Sequence, residues 1–325
     1  MKIGLTYDLR SDYLKQGYSM EETAEFDKES TIEGIETAIQ NAGHHTHRIG
    51  NAQQLMKSLL DGARWDMVFN ICEGLYGEGR ESLVPALLDL YKIPYVFSGP
   101  VTLGIGLNKA VTKQILRDSG VNTPAFHVVS DLTDIQDVRL EYPLFAKPIS
   151  EGTGKGIDSA SILNSKEDLE IVCKNLLAKF AQSVLVEEYL PGREFTVGVL
   201  GTGEEAVVPG AMEIVYKQAS DNIYSYENKE NYEQVVDYIA VKGEMLEDCK
   251  KIALHAWKAL NCLDGGRIDV KIDRFGKISF IEVNPLAGLN PQISDLPILC
   301  RLNNISYQEI INTILASAIK RNFSI

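Results

Sequence analysis

The residues best suited to chemistry lie between Gly266 and Pro285, in the run GRIDVKIDRFGKISFIEVNP. Residues 267–273 and 278–283 carry strand patterns, and Arg274-Phe275-Gly276-Lys277 between them predicts a tight hairpin turn. A loop symmetric about Phe275-Gly276 sets Asp269 opposite Glu282 and Arg267 opposite Asn284. Side chains alternate along strands, so all four then share one face of the sheet. Two opposed carboxylates repel. A hard divalent cation between them relieves the repulsion, and Asn284 offers a further oxygen ligand. Arg267 beside them suits a phosphate or an oxyanion. The plainer alternative is a solvated charged face with cross-strand ion pairs, and a one-residue bulge would spoil the register.

Further residues suit a phosphate-bearing ligand. Asn108 predicts a cap for a helix over 109–119 that ends at Gly120, with Lys109 in its first turn. Lys113, one turn on, reads as a solvated lysine. YPLFAKPISEGTGKGIDSASIL predicts a strand reaching Lys147, a loop holding Gly152, Gly154 and Gly156, and another strand. Backbone N–H groups of such a loop approach phosphate closely, and the strand lysine supplies charge. No helix follows the loop, and no G-x-x-x-x-G-K-[ST] is present, so neither common phosphate motif applies. In SVLVEEYLPGREFTVGVLG, two strands flank a turn at Pro191-Gly192. Glu187 and Glu194 there can accept from an amino group and ribose hydroxyls, or be ordinary surface glutamates.

These groups must be held by elements, and the first 98 residues alternate strand and helix as a parallel α/β unit does. Strands are expected near 2–7, 45–49, 66–70 and 94–97, and helices over 27–42, 52–61 and 81–91, the first closed by Gly43. The third strand runs into the glycine-rich CEGLYGEG, a natural site edge. Residues 9–26 are polar without a period, either a loop over the site or a surface excursion. Residues 216–232 are polar and tyrosine-rich, as a lid or any exposed loop is. Helices over 165–180, 245–260 and 306–321 complete the pattern, with a turn-rich stretch from Pro285 to Pro297.

A formal charge of −13 argues against nucleic acid or an anionic membrane as the main partner. No apolar run reaches the ~20 residues of a membrane span, and MKIGLTYDL reads as a first strand and not as a signal peptide. Five scattered cysteines without C-x-x-C spacing fit a reducing, cytoplasmic setting. His44, His45 and His47 read as positions along a surface strand more readily than as a metal cluster.

Taken in order, LVEEYLPGREFTVGVLG, GGRIDVKID, FIEVNPLAGLNP and KIPYVFSGP followed by NKAVTKQILRDSGVNTP resemble the ATP-grasp superfamily, and within it the D-alanine–D-alanine ligases. The resemblance covers about residues 66–320. It implies an α/β (α+β) ATP-grasp fold of three sub-domains, with the nucleotide between two sheets. The parts would be residues 1–98 (substrate), 99–186 (central, with the flap) and 187–325 (metal site and lid). It implies ATP and two magnesium ions, with manganese a possible substitute, small amino-acid-like substrates and a homodimer.

By resemblance, Lys109, Lys147, Thr153 and Gly154 contact the ATP phosphates, Glu187 takes the adenine amino group, Tyr189 and Leu190 offer backbone to the base, and Glu194 holds the ribose. Lys229 aligns with the lid lysine over the γ-phosphate. Asp269, Glu282 and Asn284 hold the metals, and Arg267 with the Gly288 N–H steadies a tetrahedral oxyanion. The amino-acid subsites depart from the pattern. The family's early glycine-rich loop with Ser and Glu is missing from YDLRSDYLKQGYSMEE, and Glu73 in NICEG follows where the family has a histidine facing a carboxylate. Glu73 suits an amino, guanidino or hydroxyl group instead. Glu230 replaces the lid tyrosine, and the pair seating the second substrate falls near Ile293-Ser294. The resulting expectation is an ATP-dependent carboxylate–amine ligase acting on something other than two D-alanines. The alternatives are a true D-alanine–D-alanine ligase or a small-molecule phosphotransferase.

Overall fold

The computed structural model describes residues 1–217 and 236–323. The first sheet is parallel and four-stranded, in the order β2-β1-β3-β4: β1 (Lys2–Tyr7), β2 (His45–Gly50), β3 (Met67–Ile71) and β4 (Tyr95–Val96). α1 (Arg10–Lys15), α2 (Glu29–Asn41), α3 (Ala52–Leu60) and α4 (Leu83–Leu90) connect these strands. The expected helix over 27–42 begins two residues late, and Gly43 at φ 84° follows its end, a backbone angle that glycine adopts without steric cost.

α5 (Pro100–Leu107) and α6 (Lys109–Asp118) lead into an antiparallel sheet ordered β5-β8-β6-β7. Its strands are β5 (Phe126–Val129), β6 (Leu144–Pro148), β7 (Ile162–Leu163) and β8 (Val184–Glu188). The Asn108 side chain accepts from Val111 N–H, which fixes the start of α6 and with it Lys109. α7 (Lys166–Phe180) opens on a Ser165 capping box and buries Leu169, Cys173 and Leu176 against β6 and β8.

The third sheet is ordered β11-β10-β9-β12-β13: β9 (Glu194–Leu200), β10 (Ala211–Tyr216), β11 (Val236–Ala240), β12 (Gly265–Ile272) and β13 (Ile278–Asn284). The strands flanking Pro191-Gly192 therefore belong to different sheets, so that bend is a crossover between layers. α8 (Glu244–Ala259) covers one face, packing Ala253, Ala256 and Trp257 on Val197, Ile268, Val270 and Phe280. The turn-rich stretch from Pro285 to Pro297 runs at its end into a helix that was not expected, α9 (Asp295–Leu302). α10 (Tyr307–Phe323) returns to the first sheet, burying Ile310, Ile311 and Ile314 in one core with β1, β3 and α2.

Asp264 ties the ends together. Fully buried, its carboxylate accepts from Phe97 N–H (2.8 Å), Ser317 (2.9 Å) and Arg321 (2.7 Å). No helix among the described residues is long and apolar enough to cross a membrane.

Candidate active site

The β12–β13 hairpin pairs Arg267 with Asn284 and Asp269 with Glu282. Nearer the turn the register differs from the symmetric expectation, with Val270 opposite Phe280 and Ile272 opposite Ile278. Asp273, whose carboxylate accepts from Phe275 and Lys277 N–H groups, makes the loop one residue tighter. A bulge at Ile281 then restores the register at the site. The bulge therefore preserves the pairing of the four site residues.

One face of this sheet carries the whole polar array. Thr196 lies opposite Asp269 and Glu194 opposite Lys271 across β9 and β12. The Thr196 hydroxyl donates to Asp269 Oδ1 (2.9 Å) and Lys271 Nζ lies 2.9 Å from Glu194. Arg267 donates to Asp269 Oδ2 and sits 3.6 Å from Asp295. The Asn284 amide lies 3.3 Å from Asp269 and 3.5 Å from Glu282. The opposite face of the same strands is apolar and seals onto α8. Sheet alternation alone thus sorts the chemistry from the core.

The donor set fits a hard cation. Asp269 and Glu282 supply carboxylate oxygens, and rotating the Asn284 amide by half a turn aims its oxygen at both. Lys109, buried at the start of α6, reaches over from the other side, with Nζ 3.7 Å from Glu282 and 2.5 Å from the Glu151 carbonyl. Burial pulls its pKa down, and the Glu282 charge opposes that shift.

In the central sheet, Phe145 faces Glu187, so Lys147 is the diagonal neighbour of Glu187 on the same face. Lys147 Nζ lies 2.7 Å from Glu187 Oε1, and Lys113 Nζ lies 3.0 Å from Oε2. Lys113 is therefore not solvated as expected. It is wholly buried, because α6 presses that face toward β13, and it also donates to the Phe280 carbonyl at 3.4 Å. Burial lowers its pKa to about 8 against the raising effect of Glu187. Burial alone would raise the Glu187 carboxyl, but the two lysines outweigh it and hold it down. Both Glu187 oxygens thus face a lysine, and an exocyclic amine at Glu187 would have to share them with Lys113 and Lys147.

Lys147, Gly154, Glu187, Tyr189, Leu190, Glu194 and Asp269 line a cleft of about 110 Å³ between the two antiparallel sheets. Tyr189 spends its N–H on the Pro143 carbonyl (3.2 Å), so a backbone donor to a base there is the Leu190 N–H. A second cavity, about 270 Å³, takes in Thr153, Gly288 and Ser294 and continues to Asp27, Glu73 and Glu81 of the first unit. Lys109, Glu151, Gly152, Arg267 and Glu282 line both spaces. Lys229 lies outside the described residues.

The sequence profile described as D-ala D-ala ligase C-terminus matches residues 115–316. The D-alanine–D-alanine ligase of Aquifex aeolicus (strain VF5) is 31% identical over 287 residues, 88% of this chain and 93% of that protein. The uncharacterized protein y4sG of Sinorhizobium fredii is 30% identical over 309 residues, 90% of this chain and 88% of its own length. The solved D-alanine–D-alanine ligase from Bacillus anthracis, complexed with ATP, superposes with a TM-score of 0.74 at 21% identity, covering 99% of this chain and 98% of that one. The chain belongs to the D-alanine–D-alanine ligase family. It is an ATP-dependent ligase of that kind, with the family's ATP-grasp fold.

Several residues of this ligase's site were not singled out from its sequence. Thr196 and Lys271 follow from strand alternation once β9 is set beside β12, a pairing that no local pattern announces. Residues 9–26, aperiodic in sequence, lead into Glu25, Phe26 and Asp27 at the second cavity. Glu25 is ion-paired to Arg80 (3.0 Å) and Lys155 (3.4 Å). Burial would raise the Glu25 carboxyl, and the two cations overcome that and lower it. Arg80 also donates to the Ser150 carbonyl (2.9 Å), so the first unit grips the glycine-rich flap. The histidines hold no metal cluster among the described residues, and His47 accepts from Trp65 instead.

Proposed function

We propose that this ligase joins two small amino-acid-like molecules through an acyl phosphate, and that the pair is not two D-alanines. The observation carrying this reading is the junction where Lys109, Arg267 and Glu282 line both cavities. A phosphoryl group bound there touches a nucleotide on one side and a substrate carboxylate on the other. ATP would occupy the cleft between the sheets, with its adenine amino group at Glu187, its ribose at Glu194 and its phosphates at Lys109, Lys147, Thr153 and Gly154.

The γ-phosphoryl passes to a carboxylate oxygen, and the amine then attacks the acyl carbon while phosphate departs and the nitrogen loses a proton. Asp269, Glu282 and Asn284 would hold magnesium, which supplies charge neutralisation on the transferring phosphoryl group. Lys109 and Lys147 add positive charge at the same place. Arg267 and the Gly288 N–H stabilise the oxyanion of the tetrahedral adduct. Ser294, whose hydroxyl accepts from Asn290 N–H (3.0 Å), sits where the second substrate's carboxylate would lie.

The substrate reading rests on the first unit, where Asp27, Glu73 and Glu81 line the cavity. An alanine carboxylate or methyl group has no use for such a wall. ADP release is measured across D- and L-amino acids, singly and in pairs, with products weighed by mass spectrometry. A mixed pair should release ADP and yield one amide. D-alanine alone giving its dipeptide would refute the substrate reading, and a stable phosphorylated product without an amide would replace the ligase with a phosphotransferase.

A further inference from the structure

The second cavity has an acidic wall more elaborate than one ammonium group needs. Four carboxylates of the first unit line it, from Glu25, Asp27, Glu73 and Glu81. Glu25 is matched by Arg80 and Lys155, and Asp27 accepts from the Thr31 hydroxyl. Glu73 and Glu81 are different. Their carboxyl groups are close neighbours that act on each other's ionisation, and neither forms an ion pair among the described residues. Glu81 is only 9% exposed and faces the cavity. Two cations also line this cavity: Arg10, whose Nε donates to the Thr23 carbonyl (2.9 Å), and Lys28, which is solvent-exposed.

The pair is also held in place. Asp8 accepts from Gly74 N–H (2.9 Å) and from the Tyr13 hydroxyl (2.5 Å), fixing the loop that carries Glu73. Gly74, at φ 70°, turns so tightly onto Arg80 that a Cβ would lie 2.7 Å from its carbonyl oxygen, which brings the Glu81 segment alongside. Burial raises both carboxyls. Glu81 and Glu25 add to the effect on Glu73, while Arg80 restrains the rise at Glu81. A rigid, desolvated carboxyl pair facing an open cavity is costly when empty and is relieved by a cation.

The cavity's reacting end is at Arg267 and Gly288. An amino acid with its carboxylate there can place its α-ammonium on one carboxylate of the wall, and Asp27 is available for that. The Glu73–Glu81 pair remains. We propose that Glu73 and Glu81 bind a second cationic group, so that one of the two joined molecules is an amino acid whose side chain ends in an amine or guanidine. This rests on the ligase reading and narrows its substrate.

The test matches ligands in size and varies only charge. Ornithine against norvaline, and arginine against citrulline, each in both chiral forms, are titrated calorimetrically into the full chain with magnesium and a non-hydrolysable ATP analogue. At least one cationic member should bind about 30-fold more tightly than its neutral partner, the scale of a charge-assisted hydrogen bond. E81Q or E73Q should reduce that preference to about threefold or less. Equal binding within each pair, no binding by any cationic member, or a preference that survives in both variants overturns the proposal. The ligase reading is judged separately by ADP release. Turnover with neutral pairs alone keeps the ligase and removes the cationic subsite, whereas cation binding without ADP release from any pair removes the ligase.

Discussion

At the scale of single residues, the site is a set of charges that make sense only with something bound between them. Glu282 faces Asp269 across the hairpin and Lys109 across the junction of the two cavities. Glu282→Ala removes a proposed metal ligand and a Lys109 partner together, so ADP formation should fall about 10³-fold, with circular dichroism unchanged. Wild-type turnover by that variant would sink the assignment of the hairpin as the metal site. The carboxyls of the second cavity make a different prediction. Burial, opposed in part by the Thr31 hydroxyl, raises Asp27 to about 7, and burial restrained by Arg80 raises Glu81 to about 8. Between the unfolded carboxylate pKa near ~4 and these values, the folded chain binds more protons than the unfolded one. Stability from these groups is therefore full below ~4 and is lost as pH rises toward 8, by at most ~1.4 kcal/mol per pH unit for each group. Urea midpoints for E81Q and wild type should coincide near pH ~4 and diverge toward pH 8, where the variant is the more stable. A gap that stays constant with pH would show that Glu81 does not titrate in this range.

At the scale of elements, legibility followed the range of the interaction. The hairpin was readable because its partners are a few residues apart and alternation is local, and the four site residues fall on one face as read. The Ile281 bulge was not readable, since it compensates a turn whose tightness depends on Asp273 bonding its own backbone. Lys113 was misread for a related reason: its helix position is local knowledge, but its burial depends on Phe280 and Glu187, far away in the chain. Residues 9–26 carry no clear period because they form only the short helix α1 and turns, with Arg10 and residues 24–26 reaching the cavity. Gly266 shows how tightly the hairpin is seated. A Cβ there would lie 2.5 Å from the Asn284 carbonyl and 2.7 Å from the Trp257 ring. Gly266→Ala should cost about 2 kcal/mol by urea unfolding and displace Asn284 from the proposed metal ligands. It should therefore raise the magnesium concentration needed for half-maximal ADP release, whereas a variant with unchanged stability and magnesium requirement would contradict this packing account.

At the scale of the whole molecule, each sheet brings a different component. The central sheet brings Lys147 and Glu187, the C-terminal sheet brings the hairpin array, and the first unit brings the acidic wall. Asp264 joins β4's end to α10, and Arg80 with Glu25 joins the first unit to the flap, so the cavities are defined by contacts that cross the whole sequence. Family membership accounts for the reaction type, and the proposed difference in substrate rests on the acidic wall of the first unit. The central claim is that a carboxylate is activated as an acyl phosphate. It is tested most directly by supplying the carboxylate substrate that supports ADP release with both carboxylate oxygens labelled as ¹⁸O. Transfer of the γ-phosphoryl to that carboxylate, followed by amine attack, leaves one ¹⁸O in the released inorganic phosphate and one in the amide. Phosphate free of label would contradict the account.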